Sequence, residues 1–201
     1  MYSQGEGVPQ DYKKAFEWYT KAANQGSAEA QTSLGIMYSE GQGVSQDYKK
    51  AFEWLSKAAN QGEVRAQTNL GIMYSKGQGV PQDYKKAFEW TQKAADQGEA
   101  FAQINLGTIY SQGEGVPQDY KKAFEWIQKA ANQGDISAQI KLGSIYQDGR
   151  GVRQDDKKAF EWYEKAANQG DALAQISLGF MYANGHGVSQ DNKKSWWWFK
   201  K

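Results

Sequence analysis

The sequence predicts an all-α solenoid built from stacked helix–turn–helix units. Three observations carry that prediction. Trp recurs at Trp18, Trp54, Trp90, Trp126, Trp162 and Trp198, always 36 residues apart. Gly5, Gly41, Gly77, Gly113, Gly149 and Gly185 keep the same interval, and so does Val from Val8 to Val188. Between these markers the apolar residues follow a helical period. A fixed period in the range of about 20–50 residues marks supersecondary units that cannot bury their apolar faces alone and so must stack.

The first helix of a unit reads EVRAQTNLGIMYSK, Glu63 to Lys76. At 100° per residue, Ala66, Leu70, Met73 and Tyr74 fall on one side, as a half-buried helix requires. A glycine recurs in mid-helix (Gly35, Gly71, Gly107, Gly143, Gly179), where it costs roughly 1 kcal/mol against Ala. Close approach of a neighbouring helix backbone is the expected compensation. The turn follows: Gly77 and Gly79 can adopt positive φ, Val80 plugs the turn into the core, and Asp83 caps the next helix. That second helix is expected over Tyr84 to Asp96. Its apolar arc holds Tyr84, Ala87, Phe88, Trp90, Ala94 and Ala95. Lys85, Lys86, Glu89 and Lys93 lie opposite, with Glu89 and Lys93 spaced as a surface ion pair.

Read this way, residues 1–201 form one array. A partial repeat (1–26) precedes full repeats at 27–62, 63–98, 99–134 and 135–170, and a second partial repeat covers 171–201. Met1 precedes mid-repeat sequence, so an upstream portion is expected to be missing.

Taken from one copy, the pattern is Ala30, Leu34, Gly35, Tyr38, Gly41, Gly43, Val44, Asp47, Ala51, Trp54, Lys57, Ala58, Ala59, Gln61 and Gly62. It closely resembles the Sel-1-like repeat family, a 36-residue relative of the tetratricopeptide repeats, and it does so in register along the whole chain. The resemblance implies a right-handed α–α superhelix. It also implies an adaptor or scaffold role in protein complexes, common in bacterial envelope, signalling and host-interaction proteins. A cysteine-rich secreted branch of that family staples its helices with disulfides and has been associated with β-lactamase or penicillin-binding activity. This chain contains no Cys, so neither property carries over.

Composition narrows the function further. With 24 basic and 23 acidic residues the formal net charge is +1, which supplies no electrostatic footprint for nucleic acid. Without Cys there is no thiolate nucleophile and no zinc–thiolate site. A chain lacking Cys suits the bacterial cytoplasm, the periplasm or secretion alike. No apolar run approaches the roughly 20 residues of a membrane span, so no membrane insertion is expected. MYSQGEG lacks the charged and apolar regions of a signal peptide.

The Gly-x-Gly turns match neither a P-loop nor a dinucleotide fingerprint. His186, the one histidine, fills the same turn slot as Glu6, Gln42, Gln78, Glu114 and Arg150, and reads as a solvated turn residue. The lysine pairs (Lys13-Lys14 through Lys193-Lys194) read as a solvated convex face, because acidic residues such as Glu17 lie among them. No serine acylation signature occurs. No catalytic residue, metal ligand or cofactor is therefore expected, and the chain is read as non-enzymatic.

Positions constant from copy to copy specify the scaffold, and those that change are free to specify a partner. The changing positions of the first helix fall within about 60° of one another and form one stripe. Successive copies place there Glu29, Ser33 and Ile36; Arg65, Asn69 and Ile72; Phe101, Asn105 and Thr108; Ser137, Lys141 and Ser144; and Leu173, Ser177 and Phe180. Glu40, Lys76, Gln112, Asp148 and Asn184 extend it by a turn.

The resemblance places this stripe in a concave groove about five helices wide. The expected function is a scaffold that holds a peptide or partner helix there, apolar anchors set among polar neighbours. Neutral drift on an exposed face is the competing account of the stripe. Two other functions compete: a cell-wall or glycan-related binding protein or β-lactamase-like hydrolase, by analogy with the cysteine-rich branch, and a structural array that self-associates through its ends.

The closing segment, SWWWFKK, resolves on the same register. Ser195, Trp196, Trp198 and Phe199 occupy core-facing places and are expected to face the stack. Trp197 replaces a solvent-facing Glu and is expected to contact a capping partner or another chain, the competing account being an accident of a frayed terminus.

Overall fold

The computed structural model describes residues 11–201. Gly5, Glu6 and Val8 of the first turn therefore lie outside the described residues. The chain divides into two compact units, one ending at Gln97 and one running from Gly98 to Lys201. The first holds α1 (Tyr12–Asn24), α2 (Ala28–Glu40), α3 (Tyr48–Asn60), α4 (Val64–Lys76) and α5 (Tyr84–Asp96). The second holds α6 (Ala100–Gln112), α7 (Tyr120–Asn132), α8 (Ile136–Asp148), α9 (Asp156–Asn168), α10 (Ala172–Asn184) and α11 (Asn192–Lys200). Among the described residues there is no strand. Within each unit, consecutive helices pack in pairs.

All the described helices but the last have 13 residues, too few to persist alone in water, so tertiary packing must hold them. Their ends are well specified. Asp11, Asp47, Asp83, Asp119, Asp155 and Asp191 cap the odd-numbered helices, each carboxylate accepting from a backbone N–H of the first turn. The Lys86 N–H so received holds the Asp83 carboxyl below its ordinary range. Glu63, expected inside α4, stands instead at its N-cap. Its longer carboxylate folds back to accept the Ala66 N–H, doing what the Ser27 hydroxyl does for α2.

At the far end of α8, Gly149 takes φ +69° and Gly151 φ +74°, the left-handed region that lets the chain reverse. The Val that follows is half-buried, and Val152 and Val188 pack on the core of the second unit.

Alanines and leucines make the interior. Leu34, Leu55, Leu70, Leu106, Leu142 and Leu178 are the largest fully buried side chains. The mid-helix glycines admit a facing side chain first and backbone second. A Cβ on Gly107 would lie 2.8 Å from Ile127 and 3.1 Å from the Ala123 carbonyl, and one on Gly143 would lie 2.9 Å from the Tyr163 ring. Edge-to-face pairs bind one helix to the next, Phe124 on Tyr146 at 5.5 Å and Phe160 on Tyr182 at 5.4 Å. Such pairs contribute about 0.5–1.5 kcal/mol beyond their burial.

A glutamine ladder links repeats. Gln67 is buried, donates through Nε2 to the Ala59 carbonyl (3.3 Å), and accepts through Oε1 from Gln97 Nε2 (2.8 Å). Gln61 on Gln31, Gln133 on Gln103 and Gln169 on Gln139 repeat the bond at 2.7–2.9 Å. Gln67→Ala is expected to cost about 2 kcal/mol in a urea melt, because it strips a buried amide pair. Gln112→Ala, on an exposed residue, should cost almost nothing.

Several details differ from expectation. Lys93 Nζ lies 4.1 Å from the centre of the Trp90 ring rather than on Glu89, and Lys129 sits likewise over Trp126 at 3.6 Å. An indole face three residues back gives the ammonium a cation–π partner while its stem covers apolar surface. Tyr84, placed in the apolar arc, is 38% exposed, its hydroxyl accepting from Gln82 Nε2 at 2.9 Å.

Trp198 is buried as expected (8% exposed), whereas Trp196 is 61% exposed and Phe199 is also exposed. At Trp196's place in the repeat, Phe160 packs edge-to-face on Tyr182 of the following helix, whereas the Trp196 ring is met by the Lys200 ammonium at 3.5 Å. Phe199 covers Gly179 with one edge and meets Phe180 at 5.3 Å, leaving its other side open.

Candidate interaction surface

The variable stripe lies on the even-numbered helices, each anchored through its opposite side. In the first unit α2 presents Glu29, Ser33 and Ile36, and α4 presents Arg65, Asn69 and Ile72. Glu29 and Arg65 are exposed, and the other four are half-buried. The Asn69 amide is spent on the Arg65 carbonyl one turn back, at 2.8 Å.

The second unit carries the large exposed groups. Phe101 on α6 is 51% exposed, and Leu173 and Phe180 on α10 are 65% and 58% exposed. On α8, Ser137, Lys141 and Ser144 are all exposed, while Ser177 on α10 is half-buried with its hydroxyl on the Leu173 carbonyl. The Asn105 Nδ2 is shut off from solvent and has no acceptor, an uncommon state for a buried amide.

Of these residues, the structure gathers Thr108, Lys141 and Ser144 around one cleft of about 190 Å³, together with Asp148 from the extended stripe. Phe101, Asn105, Ser137, Leu173, Ser177 and Phe180 lie outside it. Sequence reasoning missed its other walls: Gly107, Ser111, Tyr120, Ala123, Ile127, Ile145 and Arg150. One signal was available, since Thr108 and Ser144 are small where Ile36, Ile72 and Phe180 occupy the same place in the repeat.

Arg150 Nε lies 3.4 Å from an Asp148 carboxylate oxygen. The neighbouring Tyr163 hydroxyl is pushed up in pKa by burial first and by the Asp148 charge second, so it stays protonated.

His186 is exposed in its turn. Trp197, on the last helix, is exposed on one face, with its ring 4.7 Å from that of Trp198. Among the described residues no three His, Cys, Asp or Glu side chains converge as metal ligands would. Among the described residues no helix is long and apolar enough to cross a membrane.

The Sel1 repeat model matches six times, over residues 1–27, 28–63, 64–99, 100–135, 136–171 and 172–201. The chain belongs to the Sel1 repeat family. Its fold is accordingly the all-α, helix–turn–helix solenoid type of that family. A protective antigen present in uropathogenic Escherichia coli strains, with an SLR fold, is 42% identical with a TM-score of 0.92. The match covers 99% of this chain but 43% of that one, so this chain spans less than half of its length.

A Sel1 repeat protein from Oxalobacter formigenes is 39% identical over 100% of this chain and 82% of its own, TM-score 0.91. The cysteine-rich protein B of Helicobacter pylori is 30% identical over 67% of this chain and 96% of its own, TM-score 0.51. Among curated protein sequences there is no match. Sel1 repeat proteins are in general protein-interaction scaffolds, and the repeat itself is generally non-catalytic.

Proposed function

We propose that this chain is a non-enzymatic interaction scaffold that holds a peptide or a partner helix on the variable stripe of α6, α8 and α10. One observation carries the reading. Phe101, Leu173 and Phe180 stand exposed on helices whose opposite side is already packed, at repeat positions that change from copy to copy. Large apolar groups scattered among amides, hydroxyls and a lysine are the composition of anchor-and-rim recognition. The fold does not ask for Phe101 or Leu173, since Glu29 and Ser137 serve at their place in the repeat.

The test is a peptide library displayed against the immobilised chain, followed by affinity measurement on the Phe101→Ser, Phe180→Ser double variant. Helicity should be retained and affinity should drop at least about tenfold, the scale of losing an apolar anchor. Equal affinity for both proteins would remove the stripe from consideration.

A further inference from the structure

We infer that the cleft walled by α6, α7 and α8 seats one apolar side chain of an acidic peptide, while Lys141 takes an adjacent carboxylate. This presupposes the interaction surface proposed above and names the chemistry of its ligand.

Size comes first. At about 190 Å³ the cleft slightly exceeds the roughly 150 Å³ of a cavity that takes up benzene, and falls below the roughly 300–1,000 Å³ of pockets for cofactors and metabolites. It has room for one aromatic or large aliphatic side chain and no more. Its origin is local. Thr108 and Ser144 stand where Ile36 and Ile72 stand in the first unit, and Gly107 adds no Cβ, which leaves Ile127 as the floor.

The polar walls are largely spoken for. The Thr108 hydroxyl donates to the Ile104 carbonyl at 3.0 Å and the Ser111 hydroxyl to the Thr108 carbonyl at 2.8 Å. They make no demand for a polar occupant.

Charge decides the rest. The cleft holds two cations, Lys141 and Arg150, and one anion, Asp148. Asp148 is paired with Arg150, whereas Lys141 makes no ion pair among the described residues, so one positive charge is uncommitted. The charge is particular to this place, because the same repeat position holds Ser33, Asn69, Asn105 and Ser177 elsewhere. An apolar seat beside a free ammonium selects an apolar residue next to an acidic one.

The experiment is an NMR titration of the ¹⁵N-labelled chain, at low salt, with blocked Gly-Phe-Glu-Gly and its Gln, Lys and Phe→Gly analogues. The acidic peptide should bind about fivefold tighter than the lysine peptide, the size of an exposed ion pair, and loss of the Phe ring should cost more. Lys141→Glu should reverse the acid-over-base order. Thr108→Ile, which restores the residue of Ile36 and Ile72, should close the cleft and erase the ring's contribution with the melt unchanged.

Equal binding of the acidic and basic peptides, or full affinity in Thr108→Ile, overturns the inference. If library-selected peptides still depend on Phe101 and Phe180 while these probes show no preference, this inference fails and the interaction surface stands. Loss of both results removes both.

Discussion

Gly151→Ala is expected to destabilise the second unit by about 2–5 kcal/mol, whereas Gly170→Ala should cost only about 1–2 kcal/mol. Both glycines have positive φ, +74° and +92°, so each alanine bears the same left-handed penalty of about 1–2 kcal/mol. The surroundings differ. Nothing lies within 4 Å of a Cβ placed on Gly170. A Cβ on Gly151 would collide with the Tyr120 carbonyl, and would lie 2.7 Å from the Lys121 nitrogen. Those are main-chain atoms of the first turn of α7, already held by the Asp119 cap, and they have no rotamer through which to retreat. The turn must therefore lift from the helix it touches, at an overpacking cost of about 1–3 kcal/mol more. Urea melts of the two variants would measure the difference. Equal losses would mean that the turn–helix contact contributes nothing.

Leu142→Ala should cost about 4 kcal/mol, in the upper half of the range for buried leucines. Leu142 is 0% exposed in the middle of α8. Its cluster includes Ala138, Ala159 and Ala166, whose side chains are too short to swing into a void. The cavity should therefore stay open, and the cost of a cavity rises with the volume that relaxation cannot remove. For a chain of this length the melting temperature should fall by roughly 8–16 °C, which calorimetry would read directly. A loss below about 1.5 kcal/mol would show the helices closing over the gap, contrary to an interior packed to native density.

What was legible in the sequence was whatever depends on near neighbours along the chain. Asp83 before Tyr84 announces a cap, and a Gly-x-Gly announces a left-handed helix end; the structure carries both. The 36-residue spacing announces stacking, because each unit leaves an apolar face to cover.

What was not legible depends on partners about one repeat away. Gln67 reads as a polar surface residue until Gln97 is seen to reach it across 30 positions. Thr91 is polar, but seven residues past Tyr84 its helical angle falls inside the apolar arc, and it is buried against Gly71, as Leu55 is against Gly35. Here the rule that variable positions face a partner fails. The missing Cβ on the glycine makes a recess that Leu, Thr, Ile, Tyr or Phe can fill in different ways, so variation at this place reflects packing. The candidate surface was half legible for a related reason. The stripe follows from helical angles alone, but its cleft depends on two small side chains, Thr108 and Ser144, and on a turn residue, Arg150, that reads as mere polar filler.

The central claim is that recognition belongs to the variable stripe and not to the repeated lysine-rich faces. The most direct measurement is chemical-shift mapping of a library-selected peptide on the ¹⁵N-labelled chain. The perturbed amides should cluster around Phe101, Thr108, Lys141 and Phe180. Perturbations centred on Lys121, Lys122 and Glu125 of α7, or on the equivalent residues of α9, would contradict it.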